Sequence, residues 1–135
     1  MIVNCKKILD LSGSEMESST FLTKGKSYPV LSVSMFPGKT MAFRIIADDG
    51  TPIVVEGNCL DIEDATVPET WISTVKDGNY VKSGYPAVID AEIMERYFDG
   101  DDPEALEAVK NAVRQASFDT GIDILSISSY SASIG

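Results

Sequence analysis

Between residues 97 and 109 the chain reads YFDGDDPEALEAV, with four acids, Asp99, Asp101, Asp102 and Glu104, around a Gly100 to Pro103 corner and no base among them. Carboxylates in that density can ligate a cation, share acid–base catalysis, cap a helix or attract a basic protein. A calcium loop requires glycine at its sixth position and a carboxylate at its twelfth. Counted from Asp99, those positions hold Glu104 and Lys110, so the ligand pattern fails. Paired-carboxylate hydrolysis needs its acids on rigid elements around a cleft, whereas this stretch reads as an exposed turn between two helices. Capping explains part of it. Asp102 can cap, Pro103 suits the first helical position, and Glu104 is favoured at the positive end of the helix dipole.

Capping leaves a surplus. From residue 90 to 107 the acids are Asp90, Glu92, Glu95, Asp99, Asp101, Asp102, Glu104 and Glu107, eight against Arg96 alone, so seven negative charges are uncompensated there. A second group, Asp61, Glu63, Asp64 and Glu69, flanks a β-rich stretch, and Asp48 and Asp49 fall at a hairpin tip. Turned to one side, these acids would create a field that speeds encounter with a basic protein. The partner-binding candidates are therefore Glu95, Asp99, Asp101, Asp102, Asp61, Glu63 and Asp64, with Tyr80 and Tyr85 as exposed contact residues from the expected loop DGNYVKSGYP.

The whole composition points the same way. Eleven Lys plus Arg against twenty-one Asp plus Glu give a formal net charge of -10, which repels phosphate backbones and anionic membranes, so neither nucleic acid nor membrane is an expected partner. No histidine is present. The usual general base and most transition-metal sites are thereby removed, and neither catalysis, metal nor cofactor is expected. Cys5 and Cys59 sit in apolar surroundings and are read as buried free thiols. The start of the chain shows no basic-then-apolar leader, and no apolar run approaches the ~20 residues that span a bilayer. A cytoplasmic location is the expectation.

The elements that must position these residues follow from periodicity. The 135 residues, 44% hydrophobic, fit a single domain over 1–135, with a β-rich part at 1–84, a helical hairpin at 85–121 and a tail at 122–135 whose Ile122, Ile124 and Ile127 have the pattern of one more strand. In FLTKGKSYPVLSVSM, a turn at Lys24-Gly25-Lys26 precedes Leu31, Val33 and Met35 on one face and Ser32 and Ser34 on a wet one. MAFRIIADDGTPIVVEG reads as a hairpin around Asp49-Gly50, with Phe43 and Ile45 inward and Pro52 at a strand start or on an edge. Gly57-Asn58 predicts a turn, CLDIED a short strand and TWISTVKD the last one, with Trp71 as a core anchor. PAVIDAEIMERYF predicts one helix burying Val88, Ile89, Ile93, Met94, Tyr97 and Phe98. The next helix buries Leu106, Val109, Val113 and Ala116 and stops at Gly121. The fold class is α+β: a small SH3-like antiparallel β-barrel or bent sheet followed by a C-terminal helical hairpin.

Two phrases together resemble a known class. LTKGKSYPVLSVS with FRIIADDGTPIVVEGNCLDI is similar to the SH3-like β-barrel module of small bacterial proteins. The P-x-x-W at Pro68 to Trp71 and MERYFDGDDPEALEAV resemble the C-terminal half of immunity proteins from polymorphic or contact-dependent growth inhibition toxin systems. The likeness spans roughly residues 22 to 113. It implies a protein without catalysis that binds a cognate basic toxin domain, such as a nuclease, and occludes its active or substrate-binding surface. Two other readings stand beside it: a non-catalytic SH3-like adaptor or regulatory protein binding a peptide or host protein, and a histidine-free hydrolase using acids and a metal.

Overall fold

A computed structural model describes residues 1–124. The tail residues from 125 onward, Ile127 among them, lie outside the described part. The strands are β1 (Ile2–Cys5), β2 (Ile8–Leu9), β3 (Glu15–Met16), β4 (Ser27–Met35), β5 (Ala42–Ile46), β6 (Pro52–Glu56), β7 (Leu60–Asp64), β8 (Ile72–Lys76) and β9 (Tyr80–Gly84). The helices are α1 (Pro86–Ile89), α2 (Ala91–Asp99) and α3 (Pro103–Thr120), and a single 3₁₀ turn, Gly57–Cys59, precedes β7. The fold is α+β, an antiparallel sheet followed by helices. No described helix is long and apolar enough to cross a membrane.

Strand β4 organises the sheet because it is long enough, at nine residues, to hold three partners. One of its edges pairs with β5. The other pairs first with β1, at Ser27 to Pro29, and then with β9, at Ser32 to Met35. The sheet therefore forks. One branch runs β6-β5-β4-β1-β7, and β9 carries β8 on the other. Among the described residues β6, β7 and β8 each have one strand neighbour, so the sheet is bent and open, and an SH3-like barrel closure is not formed. Pro52 opens the edge strand β6, where its missing N–H costs no ladder bond.

The wet face expected along β4 is corrected by a register irregularity. Val30 pairs with Ile45 and Ser32 with Arg44, which leaves Leu31 as an extra residue between them. This bulge turns Leu31 to the opposite side from Val30 and Val33. As a result the middle of β4 is buried on both faces, and even Ser32 is covered. On one side Val3, Tyr28, Val30, Val33, Phe43 and Ile45 form a core. On the other, Leu31 and Ile46 meet Tyr85, Val88, Met94, Val109 and Val113 beneath the helices.

The loop expected between Gly78 and Gly84 is strand β9 instead. Asp77 and Gly78, both left-handed at φ 54° and 77°, turn β8 back onto it. Gly84 permits the close approach to β4, because a Cβ there would lie 2.5 Å from both the Leu31 carbonyl oxygen and the Ser32 Cβ.

The expected two-helix hairpin is likewise three helices. Asp90 leaves helical geometry, ends the one-turn α1 and caps α2 by accepting the N–H groups of Glu92 and Ile93. Helices α2 and α3 still pack together across a short connection. Asp102 caps α3 with Pro103 following, and Gly121 ends it in the left-handed region, as the sequence predicts. Both cysteines are free and buried.

Candidate interaction surface

The acidic corner is the junction of α2 and α3. Gly100, at φ 79°, stops α2 and reverses the chain. Two residues later Asp102 Oδ1 accepts the N–H groups of Glu104 at 2.9 Å and Ala105 at 3.3 Å. Its Oδ2 receives Arg96 Nη1 at 3.4 Å. Arg96 also pairs with Glu92 one turn back. Asp102 is thus committed inward and half-buried, a structural acid more than a contact one. Glu95, Asp99 and Asp101 differ: all are exposed and have no hydrogen bond or ion pair among the described residues.

Apolar surface lies among these charges. Phe98 is 54% exposed and Leu106 37%, although the stripe pattern predicts both inside. Consecutive residues point about 100° apart on a helix, so Tyr97 and Phe98 cannot both face the core. Tyr97 takes the inner position and Phe98 the outer, with the rings edge to face at 5.2 Å. That angular conflict was the available signal for Phe98. In α3 the inward place expected for Leu106 belongs to Ala105. Burial, followed by the charge of Asp49, raises the Tyr97 pKa.

Asp61, Glu63 and Asp64 on β7 form a separate group. Asp61 pairs with Lys6 at 3.6 Å, Glu63 accepts Ser27 Oγ at 2.7 Å, and Asp64 accepts the Thr66 N–H at 2.9 Å. Asp64 lines a cavity with Glu69 and Asp119. Asp119 is in the last turn of α3, seventeen residues beyond Asp102, or about 25 Å along a helix rising 1.5 Å per residue. The corner and the β7 group therefore sit toward opposite ends of α3 and do not merge into one patch. Asp48 belongs to neither. Its carboxylate holds Lys26 Nζ at 2.6 Å, Thr23 Oγ1 at 2.7 Å and Tyr28 Oη at 3.0 Å. Burial pushes its pKa up, but these donors outweigh burial and hold it below the usual aspartate value.

Of the two tyrosines expected as exposed contacts, Tyr85 is buried, a correction forced by its place before α1, where both the sheet and the helices cover it. Its Oη donates to Asp119 Oδ2 at 2.7 Å, and its ring meets Trp71 edge to face at 5.8 Å. Burial raises its pKa, and the Asp119 carboxylate adds to the rise. Trp71 is half-buried between the two cores, and its buried Nε1 has no hydrogen-bond partner among the described residues. Tyr80 is half-buried on β9, stacked on Phe36 at 4.2 Å and 9°. Among the described residues, no three Cys, Asp or Glu side chains converge as a metal cluster.

Compared with known protein families, with curated proteins and with solved structures, the chain matches none.

Proposed function

We propose that the protein is a non-catalytic inhibitor that binds a basic protein through the α2–α3 corner, as an immunity protein binds its toxin domain. The observation that carries this reading is the corner itself: three uncompensated carboxylates, Glu95, Asp99 and Asp101, around the exposed Phe98 and Leu106. Unpaired surface charge raises the rate of encounter with a basic partner, and a protruding aromatic then supplies the apolar anchor that holds it. Acids already tied to Lys or Arg would contribute little to such steering. The bent, open antiparallel sheet followed by packed helices is consistent with the α+β class expected for such a protein, without a closed barrel. A nuclease toxin, with a basic groove for nucleic acid, is the partner class this corner fits best, and the cytoplasm is where neutralisation would be needed.

The test begins with copurification of the protein with the product of the adjacent gene. The association rate is then compared for the parent and for Glu95→Ser/Asp99→Ser/Asp101→Ser, which leaves the Asp102 cap intact. The triple variant should associate about tenfold more slowly at low salt and show a flatter salt dependence. An unchanged rate at low salt removes the corner from the interface, and failure of any basic product to copurify removes the inhibitor reading.

A further inference from the structure

The helix-side face of the sheet is covered at only one end. There, Leu31 and Ile46 lie under the helices. At the other end the register sets Ser34 beside Lys82, and Arg44, half-buried beside the covered Ser32 with the Phe98 ring over its guanidinium, stands where the helix cover stops. Tyr80, two residues before Lys82, shares their face, and its Oη reaches Ser34 Oγ at 3.5 Å. Phe36 stacks on Tyr80 and leaves an aromatic platform at the rim. The small side chains between these groups keep the surface low.

The charges at this end run against those of the molecule. In a chain of formal net charge -10, Lys6, Lys24, Lys26, Arg96 and Arg114 are all held in ion pairs. Lys7, Lys39, Arg44, Lys76 and Lys82 are in none among the described residues. All but Lys7 gather here: Lys39 in the turn closed by its N–H to the Phe36 carbonyl, Lys76 opposite Tyr80, and Arg44 and Lys82 on the face itself. Two acids stand with them: Glu56, set on the same face by the Ser34–Ala42–Glu56 register, and Asp77 in the β8–β9 turn. Arg44 is half-buried, with one long bond to the Pro52 carbonyl at 3.4 Å and its guanidinium 5.7 Å from the Phe98 ring centre. Burial lowers its pKa, and the opposing influence comes from the Tyr80 hydroxyl, not a carboxylate. A partly desolvated guanidinium of this kind gains most from an incoming carboxylate, which it can grip through two parallel hydrogen bonds.

We infer that this uncovered end of the sheet is a docking face for a short, carboxylate-rich segment of another protein, gripped by Arg44 and Lys82 and seated on the Tyr80–Phe36 stack. Charge complementarity selects the occupant. A polyphosphate also likes cations and aromatic faces, but it would extend past this end into the strongly negative field of the rest of the chain. A short acidic segment stays within the cationic end. The inference concerns the opposite charge from the acidic-corner reading, and the two surfaces adjoin where Phe98 lies over Arg44.

The test is an amide-shift NMR titration of the full chain with three probes: a six-residue peptide of glutamates with one central phenylalanine, a hexalysine, and a six-nucleotide oligothymidine. The glutamate peptide should move the amides of Ser34, Arg44, Tyr80 and Lys82, and the effect should vanish near 0.5 M salt, where screening lengths fall to roughly 4 Å. Lys76→Gln/Lys82→Gln, changed at solvent-reachable positions so that folding is preserved, should bind the peptide roughly tenfold more weakly. Arg44→Gln should do the same if it remains folded. No shift at these amides, undiminished binding by the lysine double variant, or tighter binding of the oligothymidine would overturn the inference. Hexalysine should instead move Glu95, Asp99 and Asp101, and binding of hexalysine at Arg44 and Lys82 would also overturn it.

Discussion

Asp48 shows how far a single carboxylate can be from the role its sequence position suggests. At a hairpin tip it reads as free surface charge, yet it ties Lys26, Thr23 and Tyr28 together. Its folded pKa lies below the ordinary value. The stability it adds is therefore complete above the unfolded aspartate pKa and is lost as pH falls through the folded one. Asp48→Asn should destabilise the protein at neutral pH and make less difference near pH 3, as read by denaturant unfolding at the two pH values; an equal loss at both would remove the charge from the account. Gly84 is a second residue whose identity is fixed by a close approach. Gly84→Ala should cost about 2 kcal/mol in unfolding free energy, since its Cβ meets backbone that cannot swing aside.

Among the elements, the helices were the most legible. Capping and stop signals are local, so Asp102, Pro103 and Gly121 could be placed without knowing what α3 packs against. Asp102→Ala should lower stability by about 1 kcal/mol through loss of the cap, whereas Asp102→Ser should retain most of it, by thermal or denaturant unfolding. Val113, 1% exposed between α3 and the sheet, should cost about 2 kcal/mol when cut to alanine. The break at Asp90 was missed because the apolar stripe of PAVIDAEIMERYF runs across it: periodicity sees the side chains, while the break lies in the backbone geometry of one capping residue. The β4 bulge was missed for a related reason. Alternation assumes a constant period of two, and a single extra residue reverses the side of everything on one flank.

For the whole molecule, charge is divided unevenly. Among the described residues, Glu95, Asp99 and Asp101 stand without ion partners at the α2–α3 corner, while Lys39, Arg44, Lys76 and Lys82 stand without them at one end of the sheet face, and the two groups adjoin where Phe98 lies over Arg44. An isolated count of eight acids to one base between residues 90 and 107 could not show this division. The sequence by itself determined the α+β class, the hairpin at Asp49-Gly50, the inward Phe43 and Ile45, the buried thiols and the ends of α3, because each depends on neighbours only a few residues away. The tertiary structure alone decided that the sheet forks and stays open, that Tyr85 is buried, that the β7 acids stand apart from the corner, and which charges remain unpaired. Those outcomes depend on strand register and on contacts between distant segments, and a one-residue shift along β4 would change them without altering any local signal.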